Sequence, residues 1–118
     1  MNKRFEIVFL DDAMTFLRSL EYKHREKILY NIGKAQIEND PELFKKLTDE
    51  IWEFRTLYQG LQCRLFAFWD RTSDTETLVI STHGFIKKRS RIPEQEIKKA
   101  IQSKNNYFRI KQLKDKSR

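Results

Sequence analysis

Three stretches of strand pattern lie almost end to end in the middle of this chain, and the short links between them limit the fold more than any other feature. Ile51 to Tyr58, Leu61 to Trp69 and Glu76 to His83 are separated by Gln59-Gly60, a short hairpin signal, and by the polar run Asp70-Arg71-Thr72-Ser73-Asp74-Thr75. Parallel neighbours need a crossover of a dozen or more residues, so the three strands form an antiparallel meander. Alternation then assigns faces. Trp52 and Phe54 oppose Glu53 and Arg55. Arg64, Phe66 and Phe68 oppose Cys63, Leu65, Ala67 and Trp69, and Val79, Ser81 and His83 oppose Leu78, Ile80 and Thr82.

The flanking segments complete the domain. Residues 4 to 10 alternate, with Phe5, Ile7 and Phe9 on one side, which predicts a first strand. Asp11-Asp12 stop it and are suited to N-cap a helix bearing Met14, Phe16, Leu17 and Leu20. A second helix fits residues 22 to 38, where Ile28, Leu29, Ile32, Ala35 and Gln36 share a stripe, and Asn39-Asp40-Pro41 ends it. Glu42 to Glu50 reads as a linking segment. Pro93 opens a third helix with Glu94 and Glu96 in its first turn, where negative charge suits the dipole, and with Ile97, Ala100, Ile101, Tyr107 and Phe108 as its apolar stripe. The order β-α-α-β-β-β-α predicts an α+β, two-layer domain with a mainly antiparallel sheet, helices packed on one face and the other face partly open. The domain is expected over residues 1–108, with 109–118 a basic tail free to fray.

Charged residues make up 35% of the 118, yet nine Phe, four Tyr and two Trp favour order, because such side chains gain by burial. The net charge of +7 is lopsided: residues 1–59 hold 10 basic and 11 acidic side chains, residues 60–118 hold 14 and 6. From His83 onward 12 cations face 3 acids, an excess suited to a polyanion. No apolar run approaches the roughly 20 residues that cross a bilayer, and the N-terminus lacks a signal-peptide core, so a soluble, cytoplasmic protein with no membrane partner is expected. The lone Cys63 excludes an internal disulfide. With only His24 and His83 beside it no zinc cluster is plausible, so Cys63 reads as core filler and neither a metal nor another cofactor is expected.

If Glu53, Arg55, Arg64 and His83 share the open face, they line a charged groove ending at Lys87-Lys88-Arg89. Such a groove holds the parts for metal-free RNA cleavage: His83 as acid or base with Glu53 as the runner-up base, Arg55 and Arg64 as phosphate clamps, and Lys87, Lys88, Arg89 and Arg91 as backbone grips. Phe85 could stack on a base. Each has a duller reading: His83 as a strand-end hydrogen bonder, Glu53 and Arg55 as partners of neighbouring charges on a sheet surface, Phe85 as core, and the run 87–91 as a solvated loop. Arg64 stands out, since a charge among Leu61, Leu65, Phe66 and Phe68 needs a partner or a purpose.

Taken together, Lys45-Lys46-Leu47, Ile51-Trp52-Glu53-Phe54-Arg55, Gln62-Cys63-Arg64-Leu65-Phe66, Thr82-His83-Gly84-Phe85-Ile86-Lys87-Lys88 and the run Ile92 to Ala100 resemble the HigB-like, phage-derived branch of the RelE/ParE toxin superfamily. The match spans roughly residues 45–108, and the element order agrees over 4–108. Phe54 stands where that branch usually has Leu, Cys63 where it has Tyr, and Ile92 where a capping Thr or Ser is common. The resemblance implies a RelE-like microbial RNase fold and a type II toxin, a ribosome-dependent mRNA endonuclease that inhibits translation. It implies a helix-turn-helix antitoxin as partner, with operator DNA engaged only through the antitoxin complex. Its motif positions fall on Arg55, Arg64, His83, Phe85, Lys87 and Lys88. The superfamily also contains ParE-type DNA gyrase inhibitors, so the fold alone leaves that activity, or a non-catalytic nucleic-acid-binding module, as alternatives.

Overall fold

A computed structural model describes residues 2–72 and 77–116. Ser73 to Glu76, which hold the end of the expected polar turn and the first residue of the strand after it, lie outside the described residues, as do residues 117–118. The order is β1 (Glu6–Phe9), α1 (Asp11–Ser19), α2 (Tyr22–Ile37), β2 (Phe44–Lys46), β3 (Trp52–Tyr58), β4 (Leu61–Asp70), β5 (Leu78–Ile86) and α3 (Glu94–Lys116). The strands form one sheet in the order β1-β5-β4-β3-β2, antiparallel except for the parallel pair β1 and β5. The α+β class and the antiparallel meander are as expected. The addition is β2, three residues inside the segment read as a link. It is too short to show a period, but it pairs Phe44 with Phe54 and forms one edge of the sheet.

Two local readings need refining. Helix α1 starts at Asp11 with Leu10 as its N-cap and no side-chain cap, so Asp11 and Asp12 act as first-turn acids on the helix dipole rather than as caps. Gln59 and Gly60 both have positive φ, 48° and 79°, as a two-residue type I′ turn requires.

The larger correction concerns layers. Helices α1 and α2 cover one sheet face, where Ala13, Leu17, Ile28, Ile32 and Ala35 pack on Phe5, Phe44, Phe54, Cys63, Leu65, Ala67 and Val79. Cys63 is core filler here, and burial pushes its thiol pKa up. Helix α3 crosses the opposite face, seating Ala100, Ile97 and Ile101 around Phe66 and Ile51, and Tyr107 and Phe108 against Phe68. The face expected to be open is therefore largely roofed, and the domain has three layers. The physical reason is β4 itself: from Cys63 to Phe68 every side chain is buried, so a cover is needed on both sides.

Helix α3 also absorbs most of the expected tail, continuing to Lys116. Its later turns are tied to the end of β4 by Asp70, a fully buried carboxylate that accepts hydrogen bonds from Tyr107 Oη (2.6 Å), Lys111 Nζ (2.7 Å) and the Thr72 N–H and hydroxyl. Burial alone would raise the Asp70 pKa, but the four donors outweigh it and hold the carboxyl well below its usual range. No helix among the described residues is long and apolar enough to cross a membrane.

Gly84 has a steric reason. A Cβ there would overlap the ring of Phe16 from α1. Gly84→Ala should cost about 1–3 kcal/mol in urea unfolding, and adding Phe16→Ala should recover part of that penalty. Asp70→Asn should cost roughly 3 kcal/mol at pH 7. A depressed folded-state pKa stabilises above the unfolded value of about 4, so this gap should narrow as pH falls below about 4. Denaturation curves of both proteins at pH 7 and pH 3 check the sign.

Candidate active site

Pairing registers place the site on the α3 side of the sheet as a small grid. Lys45, Glu53, Phe66 and His83 form one row across β2, β3, β4 and β5. Arg55, Arg64 and Phe85 form the next, and Leu57 pairs with Gln62 beyond it, where the Lys87 N–H donates to the Gln62 carbonyl at 2.7 Å. Neighbours within a row have Cβ atoms roughly 5 Å apart, and diagonal neighbours stand about 7–8 Å apart.

His83 reaches this face through a β-bulge. Phe66 pairs with His83 and Ala67 with Ser81, leaving Thr82 as the extra residue of β5. Strict alternation would have kept His83 on the side of Val79, which pairs with Trp69 on the α1 and α2 face. The bulge is braced by the Ser81 hydroxyl, which donates to the Phe66 carbonyl at 3.1 Å, while Thr82 Oγ1 lies 3.4 Å from the same carbonyl with its one proton directed to His83.

The expected groove residues thus share a face, but not an open groove. Glu53, Arg64 and His83 are 2%, 4% and 2% exposed, and Phe66 stands between Glu53 and His83. Glu53 Oε1 lies 2.9 Å from Arg64 Nε, an ion pair whose N–H is not aligned as a hydrogen bond, and 4.0 Å from Arg55 Nε. Arg64 also donates to the Cys63 carbonyl and to Gln62 Oε1. Burial draws its pKa down, and Glu53 opposes that shift. Removing either member of this pair would strand a buried charge. Arg55 is half-buried, with a side chain 30% exposed. Arg55, Lys87 and exposed Gln62 form the reachable part of the grid, continued by exposed Lys88, Arg89 and Arg91 in the loop before α3.

His83 is enclosed from above. Nε2 lies 3.2 Å from Glu96 Oε1 in the first turn of α3, and Nδ1 lies 3.1 Å from Thr82 Oγ1. Burial, then Lys99, lowers the His83 pKa, while Glu96 and Asp12 raise it, with a net fall. Neutral His83 therefore donates Nε2–H to Glu96 and accepts the Thr82 hydroxyl at Nδ1, since the other tautomer would set a lone pair against a carboxylate. Glu96, 26% exposed at its side chain, is the solvent-facing end of this pair. Sequence reasoning gave Glu96 only a dipole role, because no periodicity links α3 to β5. Lys45 entered only as part of a motif piece, and its place beside Glu53 was hidden because strand β2 was read as a link. Phe85 is half-buried, edge-on to Phe66 at 5.1 Å and within the second core. Among the described residues no three His, Cys, Asp or Glu side chains converge as a metal site. A cavity of about 620 Å³ lies between the start of α1 and α3, touching the bulge only through Thr82.

Nitrogen-detected imidazole spectra should show His83 as the neutral Nε2–H tautomer at pH 7, titrating below 6.5. Glu96→Gln should move the midpoint lower still and Lys99→Met should move it up, because the first removes an acid and the second a cation.

Compared with known proteins, residues 15–105 match the model of a family described as phage derived protein Gp49-like (DUF891). No curated protein matches the chain.

Proposed function

Because the chain belongs to the phage-derived Gp49-like family, a family of the RelE toxin type, we propose that it is the HigB-like toxin of a type II toxin-antitoxin pair, cleaving mRNA on the ribosome. An antitoxin partner goes with such a toxin; a helix-turn-helix antitoxin and a cytoplasmic setting complete the reading. The observation that carries the nuclease reading is the grid: Arg55, Arg64 and Lys87 gathered beside the His83–Glu96 pair on one sheet face.

Cleavage would proceed by attack of a 2′-oxygen on the adjacent phosphorus. The P–O2′ bond forms, the P–O5′ bond breaks, and a cyclic phosphate and a 5′-hydroxyl remain. Arg55 and Lys87 would hold the non-bridging oxygens and offset the charge that builds there. Arg64, fixed by Glu53, would add positive potential beneath them. Glu96 and His83 would take the 2′-proton and return one to the leaving oxygen, with Thr82 fixing the ring. Lys88, Arg89 and Arg91 would grip flanking phosphates, and Phe85 would offer its uncovered edge to a base.

Translation extracts supply the test. Wild-type protein should cut ribosome-bound mRNA at sites mapped by primer extension and leave 5′-hydroxyl ends, which a polynucleotide kinase labels without prior phosphatase treatment. His83→Ala and Arg55→Ala should each slow cleavage by about 10²–10⁴-fold. The paired change Glu53→Gln with Arg64→Gln, which leaves no lone buried charge, should act likewise. Replacing Lys87, Lys88 and Arg89 together by Ala should reduce the salt slope of RNA binding by about 2. Undiminished cutting by both single variants would remove this site from the chemistry. DNA damage with intact mRNA would instead make the chain a gyrase poison.

A further inference from the structure

Gly33 is the residue of α2 that the domain itself does not require. It lies in the helix interior, exposed, outside the positive-φ residues, and a Cβ there would meet nothing within 4 Å. Glycine is the poorest helix former after proline, and here neither a turn nor packing within the chain calls for it. Around this notch stand unusually open apolar side chains: Tyr22 is 66% exposed, Tyr30 64% and Leu29 38%.

The spacing is that of a helix-packing seam. Tyr22, Glu26, Leu29 and Gly33 follow at intervals of four, three and four, within a sector of about 60°, on the side turned away from the buried stripe His24, Ile28, Ile32 and Ala35. Tyr30 and half-buried Ile37 widen it. From Tyr22 to Gly33 the seam is about 16 Å long, some three turns. A missing side chain in such a seam lets another helix backbone come close, as small residues do at close helix crossings.

Charge narrows the occupant. Lys23, Lys27 and Lys34 line one flank, Arg25 guanidinium lies 5.7 Å over Tyr22, and Lys27 Nζ lies 5.1 Å over Tyr30. A second copy of this chain would bring the same four cations against one acid to the seam and be repelled. A nucleic acid would use the lysines but find no partner in Leu29 or the notch at Gly33. We propose that the outer face of α2, from Tyr22 to Ile37, docks an amphipathic helix of a partner protein. The apolar seam of that helix covers Leu29 and Gly33, and its acidic flank meets Lys23, Lys27 and Lys34. This inference stands independently of the nuclease reading.

The probe is a synthetic helical peptide of about three heptads with leucines along its seam and glutamates on its flank. Controls are the same peptide with lysine flanks and an oligouridine. Titrated into the full chain, the acidic peptide should shift backbone amide signals of α2 and bind more weakly as salt rises. Leu29→Glu and Gly33→Leu should weaken binding at least tenfold while leaving the amide signals of the sheet and of α3 unchanged. Gly33→Ala should raise the thermal midpoint. Equal binding of the lysine peptide, no binding of either, indifference to both variants, oligouridine shifting the same amides, or dimerisation of the chain abolished by Leu29→Glu would each overturn the proposal.

Discussion

One extra residue in β5 sets the layout of this molecule. With Thr82 bulged out, Val79 and Ser81 obey one phase of the alternation and His83 and Phe85 the other, and the switch occurs opposite the peptide joining Phe66 to Ala67. Before the bulge the strand feeds Val79 to the core under α1 and α2. After it, Gly84 is the residue turned to that side, leaving the space filled by Phe16, while His83 and Phe85 turn to α3. A one-residue slip flips every later side chain, so without the bulge the imidazole would enter the apolar core and Phe85 would collide with α1. The Ser81 hydroxyl on the Phe66 carbonyl and the Thr82 hydroxyl on the His83 ring offset the ladder bonds that the bulge gives up.

Helix α3 is placed by that choice at one end and by a buried carboxylate at the other. Glu96 sits over His83 in its first turn, and Tyr107 and Lys111 close on Asp70 three to four turns later. Between them the apolar contact with Phe66 and Phe68 supplies most of the stabilisation, and the polar ends choose where along the sheet the helix stops sliding. The two ends differ in kind. Asp70 is a fully satisfied anion, whereas His83 is a neutral ring whose hydrogen-bonded carboxylate, Glu96, is partly in water. Acid conditions therefore loosen the helix from both ends, by discharging Asp70 and by charging His83 in a place that disfavours charge.

The meander and the three helices were legible because each shows a period or a turn signal several residues long. The hidden features are those whose cause lies elsewhere in space. Strand β2 is only Phe44 to Lys46 and exists because β3 offers it an edge. The bulge has no local mark, since Ser81-Thr82-His83 suits a regular strand equally well. That α3 covers the second face was readable in β4, whose Cys63 to Phe68 run is apolar on both sides apart from Arg64, yet chain order alone suggested all helices on one side. The pairing of Glu53 with Arg64 follows from a register that depends on the Gln59-Gly60 turn, and the pairing of His83 with Glu96 on a helix position that sequence spacing does not convey.

These placements put the two surfaces that face outward on different sides of one sheet. The cations Arg55 and Lys87 look out beyond the start of α3, whereas the seam of α2 lies on the far side of the α1 and α2 layer. A partner seated on that seam cannot neutralise Arg55 by contact. That arrangement leaves the buried Glu53–Arg64 pair undisturbed, which matters because opening it to swap partners would expose two charges whose desolvation is offset only by each other. Docking away from the grid is in this sense the gentler arrangement for a sheet face built on buried ions.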